Sequence, residues 1–356
     1  MIRSHKTFII ILISVTIIVT HTLLNSSLNK GYFNLPEFRK MLQIYDGQLK
    51  WVIPGQVSPA NTMIAKGPHP TTEPGIIFLQ SSSELNPKPL VMCSIESAAR
   101  LNPNKPVYFF MKAFTGNVSA YREPEYKGIP LLSSFKNVFI LPLNFNELFN
   151  NTPLAGWYEK VDPSKEEYWI HVLSDGCRLA LLWKYGGIYL DTDTISLKPL
   201  KFQNFIVAQS ANYASNGILG FNRSHPFLEN CLTDFVEKYN GAVWGQQGPT
   251  LITRNLKKWC GTDNLDQFLN KECKGIEYVP NYLFFPIPHT DWKQYFEKYR
   301  WNNSNDAVEK EFSKSNAVHV WNFLSGRQKY DIKGSQSLIE YFYQKYCPST
   351  YGTLSN

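Results

Sequence analysis

Apolar positions crowd the start of this chain. Phe8 to Leu24 is apolar apart from Ser14, Thr16, Thr20, His21 and Thr22, and Arg3, His5 and Lys6 stand ahead of it. About 17 residues is the lower end of what crosses a bilayer as a helix. Cations on the N-terminal flank stay cytoplasmic, which places the rest of the chain in the lumen. A cleaved signal peptide has a similar apolar stretch, but no clear small-x-small site follows, Asn25-Ser26-Ser27 being the nearest. An uncleaved signal anchor is therefore the expectation. So short a span suits the thinner membranes of the early secretory route, and a single-pass type II protein of the Golgi membrane is expected. Residues 25–74 are polar, interrupted by Pro54-Gly55, Pro59, Gly67-Pro68 and Pro70, without a sustained period. They read as a stem. The expected order is a cytoplasmic tail 1–7, anchor 8–24, luminal stem 25–74 and a globular domain 75–356.

Beyond Pro74 the pattern changes to short apolar runs. Gly75–Gln80, Pro106–Met111 and Asn137–Leu143 predict buried strands, with a helix over Cys93–Leu101 stopped by Pro103. Strands alternating with helices predict an α/β fold, a parallel open sheet flanked by helices. Ligands of such sheets lie beyond the carboxyl ends of the strands. Ser81, Ser82 and Ser83 follow the first strand, and they read equally as nucleotide contacts or as a plain polar turn.

The chemistry is concentrated in Ser174–Asp193, SDGCRLALLWKYGGIYLDTD. Ser174 is a candidate N-cap. Leu179, Leu182 and Trp183 lie at helical spacing, and Asp175 and Arg178 share a face. Gly186-Gly187 ends the helix, Ile188–Leu190 is a short strand, and Asp191-Thr192-Asp193 follows. Two carboxylates two apart on an extended segment point the same way and suit a hard divalent cation such as Mn²⁺ or Mg²⁺. Asp-x-Asp alone is a weak signal among eleven Asp, and a solvated acidic turn is the plain alternative. The helix, glycine pair and strand that precede it lift it above chance.

Composition narrows the rest. Hydrophobic residues make up 43% and charged residues 18%, an ordinary globular balance. Lys and Arg are scattered, with no run of five, and a net charge of +7 over 356 residues gives no nucleic-acid footprint. Six Cys suit an oxidising compartment, with Cys260–Cys273 the best local pair and the others unassigned. Sequons start at Asn25, Asn117, Asn150, Asn222 and Asn302. Aromatics reach 15%, enough for a cleft that stacks on sugars or bases. Trp292, Tyr295, Phe296 and Trp301 are candidates for an acceptor wall or for core.

Further segments complete a resemblance. Cys93-Ser-Ile-Glu-Ser-Ala-Ala99, Asp175 to Asp193, Ser215-Asn-Gly-Ile218, Trp244-Gly-Gln-Gln-Gly-Pro249 and Ala317-Val-His-Val-Trp-Asn322 occur in order. Over about 75–350 the chain resembles the DXD-containing alpha-1,4-glycosyltransferases. The resemblance implies a GT-A-type, Rossmann-like sheet and a retaining transfer. The donor is then a UDP-sugar, with galactose favoured over an N-acetylhexosamine, and the acceptor the 4-hydroxyl of a glycolipid or other glycan. It also implies that Asp191 and Asp193 hold the metal, with His319 completing the shell. On its residues alone, His319 reads as a histidine packed by Trp321. Asp175 and Arg178 match a pair that binds donor sugar and phosphate; their plain reading is an exposed ion pair. Asn216-Gly217 reads equally as a sugar-binding amide and as a turn. Gln247, just before the helix start at Gly248-Pro249, is placed beneath the anomeric carbon. No carboxylate presents itself as a nucleophile, since Glu96 and Asp234 sit as well on helix faces. Gly176-Cys177 departs from an expected Ala-Ser and leaves a thiol next to the site. The competing class is a tethered carbohydrate-binding protein with a dead site. A metallohydrolase lacks its H-E-x-x-H.

Overall fold

The computed structural model describes residues 42–45, 48–51, 70–117, 121, 126–298, 305–328 and 330–355. The chain divides into two units, Met1–Gly67 and Pro68–Asn356. In the first, β1 (Leu42–Tyr45) pairs antiparallel with β2 (Gln48–Trp51), within the stretch that the sequence reads as a stem. The apolar run 8–24 lies outside the described residues, and no described helix is long and apolar enough to cross a membrane.

In the second unit, side-chain alternation explains the sheet. Strand β3 (Ile76–Gln80) sends Ile76 and Phe78 to one face and Ile77 and Leu79 to the other. After α1 (Pro89–Leu101), β4 (Val107–Met111) does the same with Val107, Phe109 and Met111 against Tyr108 and Phe110. Both faces are covered, so the runs are continuously apolar. Strand β5 (Val138–Pro142) extends β4 in parallel. Helix α2 (Trp169–Tyr185) then crosses back, and β6 (Gly187–Leu190) pairs with the opposite edge of β3. The direction of strand addition thus reverses between β3 and β6, and the carboxyl ends of strands flanking such a reversal form a crevice.

The remainder adds antiparallel strands to the parallel sheet that the first strands predict. After the short β7 (Thr194–Ser196) come β8 (Phe205–Ser210) and β9 (Tyr213–Phe221). Strand β9 runs antiparallel to both β6 and β8. Helices α3 (Pro226–Glu237) and α4 (Pro249–Cys260) follow, then β10 (Lys271–Cys273) and β11 (Ile276–Val279). The sheet is mixed and eight-stranded, in the order β10-β11-β8-β9-β6-β3-β4-β5. Strand β12 (Ala317–His319) pairs antiparallel with β7 in a separate ribbon.

That ribbon matters because it carries His319, and a third apolar cluster holds it. Ile195 and Val318 pack with residues of α6 (Leu338–Tyr346), after the short helix α5 (Asn322–Ser325). The final helix, α7 (Pro348–Thr353), is tied to α1 twice. Cys93 and Cys347 form a disulfide across 254 residues, and Cys260–Cys273 form the local one that the sequence predicts. Cys177 and Cys231 are free and buried. The fully buried Glu96 carboxylate accepts hydrogen bonds from Ser349 N (2.9 Å), Thr350 N and Thr350 Oγ1 (both 2.7 Å) and pairs with Arg100 Nε at 2.7 Å. It therefore fastens the first turn of α7 and is engaged away from the crevice. Glu96→Ala leaves these donors unmet and is expected to cost about 3 kcal/mol, seen as a lower midpoint in thermal or denaturant unfolding.

Candidate active site

Strand β6 delivers the Asp-x-Asp to the crevice. Helix α2 stops at Gly186, whose φ of 69° is open to glycine at little cost, and the chain turns straight into β6. After Leu190 it does not stay extended as the sequence predicts. Thr194 N donates to Asp191 O at 3.0 Å, so Asp191 and Asp193 sit in a turn. They nevertheless converge, because each carboxylate is held by one oxygen. Asp191 Oδ1 meets Arg178 Nη1 at 3.0 Å and accepts the Tyr189 hydroxyl at 2.8 Å. Asp193 Oδ2 accepts Asn322 N at 2.7 Å. The other oxygens turn toward His319 Nε2, Asp193 Oδ1 at 3.1 Å and Asp191 Oδ2 at 3.7 Å. One ligand atom from each residue lies within 4.8 Å of the others, a set of two oxygens and one nitrogen that fits Mn²⁺ or Mg²⁺.

Strand β9 closes the floor. Of the two readings the sequence leaves open for Asn216-Gly217, the turn is removed, since both lie within this strand. A Cβ on Gly217 would stand 2.5 Å from Asp191 Oδ2, so only glycine leaves that oxygen its place. Asn216 Nδ2 donates to Asp175 Oδ1 at 2.6 Å, and a Cβ on Gly248 would strike both side chains.

Arg178 is the buried cation behind the turn. Helix α2 begins at Trp169, five residues before the predicted cap, so Asp175 and Arg178 lie mid-helix, and Ser174 serves Arg178 rather than capping. Arg178 donates to Asn216 O (2.9 Å), Ser174 Oγ (3.0 Å) and Ser174 O (3.3 Å), with Asp175 Oδ1 at 3.5 Å and the Tyr189 ring at 4.8 Å. Its whole fork faces protein acceptors, so it holds Asp191 in place rather than reaching outward to a phosphate. The pair is buried, which removes the exposed-ion-pair reading.

The other expected residues are spread out. Ser81 is buried at the end of β3, its hydroxyl 3.4 Å from Ile170 O, with Ser82 half-buried beside it. Gln247 is 1% exposed; its amide donates to Phe235 O at 2.7 Å and accepts Asn240 N at 3.4 Å. It braces the loop before α4, so the structure gives it an internal role where the sequence predicts a place beneath the sugar. Asp234 is bound to Arg254 Nε, Lys238 Nζ and Asn255 Nδ2. Cys177, next in the chain to Arg178, is fully buried in the main core. Trp292 and Tyr295 are core as well. Sequence reasoning missed Tyr189, Ser174 and the Asn322 amide. The signal lay in the motifs themselves, since each stands within three residues of one already singled out.

Electrostatics favour a cation here. Arg178 pairs with Asp175 and Asp191, and Asp193 faces His319, which leaves two net negative charges among these groups when His319 is neutral. Burial pushes Asp175 up to about 6, against the pull of Arg178 and Asn216. Burial also acts to raise Asp191, but Arg178 and His319 outweigh it and hold that carboxyl below its ordinary range. For Asp193, burial with the Asp191 charge prevails over His319 and raises it. Burial alone would depress His319, yet Asp193 and Asp191 keep it above its usual 6.5. A proton at Nε2 occupies the place a cation needs. Cation affinity is therefore expected to fall as pH drops through the raised His319 value, with proton release on binding, measurable by calorimetry in buffers of different ionisation enthalpy. In the cation-free protein the sign is opposite. The His319 contribution to stability is full below 6.5 and fades as pH rises through the raised value.

Comparison with known proteins agrees with this site. Residues 88–213 match the glycosyltransferase sugar-binding region containing the DXD motif, and 220–354 match the alpha 1,4-glycosyltransferase conserved region. Human alpha-1,4-N-acetylglucosaminyltransferase is 42% identical over 280 residues, covering 79% of this chain and 80% of that protein. Human lactosylceramide 4-alpha-galactosyltransferase is also 42% identical, over 308 residues, covering 86% and 84%. A looser likeness, 14% identity at a TM-score of 0.38, reaches the galactosyltransferase LgtC over 79% of this chain and 96% of that one.

Proposed function

Because this chain belongs to the DXD-containing alpha-1,4-glycosyltransferase family and is a glycosyltransferase, we propose that it moves a hexose, galactose, from a UDP-sugar to the 4-hydroxyl of a terminal sugar on a glycosphingolipid. The observation that carries this reading is the convergence of Asp191 Oδ2, Asp193 Oδ1 and His319 Nε2 while the opposite carboxylate oxygens are anchored. A bound Mn²⁺ or Mg²⁺ supplies positive charge to the diphosphate oxygens as the glycosidic bond breaks. Arg178 keeps Asp191 ionised and aimed, and Gly217 leaves its oxygen room. Asp175, fixed through Asn216, presents its carboxylate beside the floor for donor-sugar hydroxyls. Ser81 and Ser82, at the end of the neighbouring strand, stand where the nucleotide lies in open α/β sheets.

Glu96 and Asp234 are committed elsewhere, which supports a retaining, GT-A-type, same-face transfer in which the departing phosphate takes the acceptor proton. A glycosyl adduct trapped on any side chain would sink that mechanism. The equal 42% identity to the N-acetylglucosaminyltransferase keeps an N-acetylhexosamine donor as the second reading. A panel of UDP-sugars with Mn²⁺, lactosylceramide and simple galactosides, followed by linkage analysis, separates the two. Turnover with UDP-galactose and a new α1,4 bond is expected. Binding of sugar without turnover of any donor would leave a carbohydrate-binding protein. The apolar run 8–24 and the two disulfides support a Golgi-membrane, type II placement with the catalytic unit luminal. A C-terminal tag that a protease reaches from the cytosolic side of sealed vesicles would contradict it.

A further inference from the structure

Large apolar side chains more than 40% exposed are few among the described residues, and three of them, Ile170 (45%), Val243 (48%) and Trp244 (44%), come from two short segments beside the cation site. Trp244 is built up from behind. Phe323 stacks on it at 3.9 Å and 22°, while His171 and Tyr168 meet it edge-on at 4.5 and 5.4 Å. His171 also contacts Phe323 at 5.2 Å, and Arg327 covers that ring at 4.4 Å. The indole thus has Phe323 stacked on one face, His171 and Tyr168 packed against it edge-on, and substantial area left to solvent. Leaving a rigid aromatic exposed in this way is costly in water unless something covers it.

Its location says what covers it. Phe323 follows Asn322, whose amide holds Asp193, and neighbouring Cα atoms are about 3.8 Å apart. Trp244 precedes by four residues Gly248, which packs against Asp175 and Asn216. Ile170, next to His171, carries the carbonyl contacted by Ser81. The electrostatic environment of His171 includes both Arg178 and Asp191. The platform therefore borders the triad on the side formed by α5 and the loop before α4, and it contributes no group to the cation or to a diphosphate. A flat apolar surface there fits the less polar face of a pyranose ring, whose C–H groups pack on an indole while its hydroxyls stay wet.

We propose that Trp244, backed by Phe323 and His171, is the acceptor platform, and that a pyranose of the acceptor glycan stacks on it while its terminal sugar reaches the donor. This rests on the glycosyl-transfer reading. The test uses the full chain in detergent, with UDP-galactose and Mn²⁺ and with lactose as the acceptor probe. Trp244→Ala is expected to raise the acceptor KM about tenfold while the Kd for UDP with Mn²⁺ stays unchanged, and Trp244→Phe to restore most of the loss. An unmoved acceptor KM overturns the proposal. A parallel weakening of UDP binding also overturns it, since Trp244 would then only brace the loop. Loss of binding to phosphatidylcholine vesicles with an unchanged lactose KM would make the patch lipid-facing, again overturning it. If the wild-type chain transfers no sugar, the functional reading fails separately. Saturation-transfer NMR of lactose on wild type and Trp244→Ala still decides the platform, which requires contact in the first and its loss in the second.

Discussion

Asp193→Asn is expected to reduce turnover by at least about a hundredfold, the scale at which losing one electrostatic partner of a transition state is felt. The fold should survive. The amide oxygen of Asn still accepts the Asn322 N–H, and the change removes a carboxylate that burial and Asp191 already make uncomfortable without a cation. The unfolding midpoint of the cation-free protein should stay level or rise, while stabilisation by Mn²⁺ should disappear. Paired kinetic and thermal measurements check this. Near-normal turnover would refute the role given to the triad, and a collapsed midpoint would make the kinetic result uninformative about it.

Arg178→Met should fail in the opposite way. Methionine fills part of the volume but leaves Asp191 and Asp175 buried without their cation and strands Ser174 Oγ and Asn216 O. Removing one partner of a buried ion pair costs about 3–5 kcal/mol. Denaturant unfolding should show a loss of that order, and activity should fall because Asp191 is no longer held ionised at its oxygen. If Arg178 instead reached outward to a phosphate, stability would hardly change and only the affinity for UDP would weaken. The two variants together separate a residue that holds the cation from one that holds its ligand.

Local chemistry explains which features the sequence revealed. The strand before Asp191, the Gly186 stop and the Cys260–Cys273 pair are short-range, and the residues responsible stand side by side. Helix α2 began early because Tyr168 starts it with no side-chain cap, while Ser174, which looked like one, turns its hydroxyl to Arg178. Asn216-Gly217 carries a turn signal that tertiary packing overrides, since Gly217 is needed where β9 passes Asp191. The antiparallel β9, the β7–β12 ribbon and the Cys93–Cys347 link join distant segments, and no periodicity announces such partners. His319 was legible through resemblance rather than through its own surroundings. Trp292 takes the core alternative that its sequence left open, while Trp244 is exposed, 8% against 44%, and single residues do not display that difference.

One titration tests the central claim most directly: UDP into the chelator-treated protein, followed by calorimetry, with and without Mn²⁺. Three converging ligand atoms and two net negative charges around them predict strong UDP binding only when the cation is present, and none in Asp193→Asn. Binding of equal strength without any divalent ion would contradict the account.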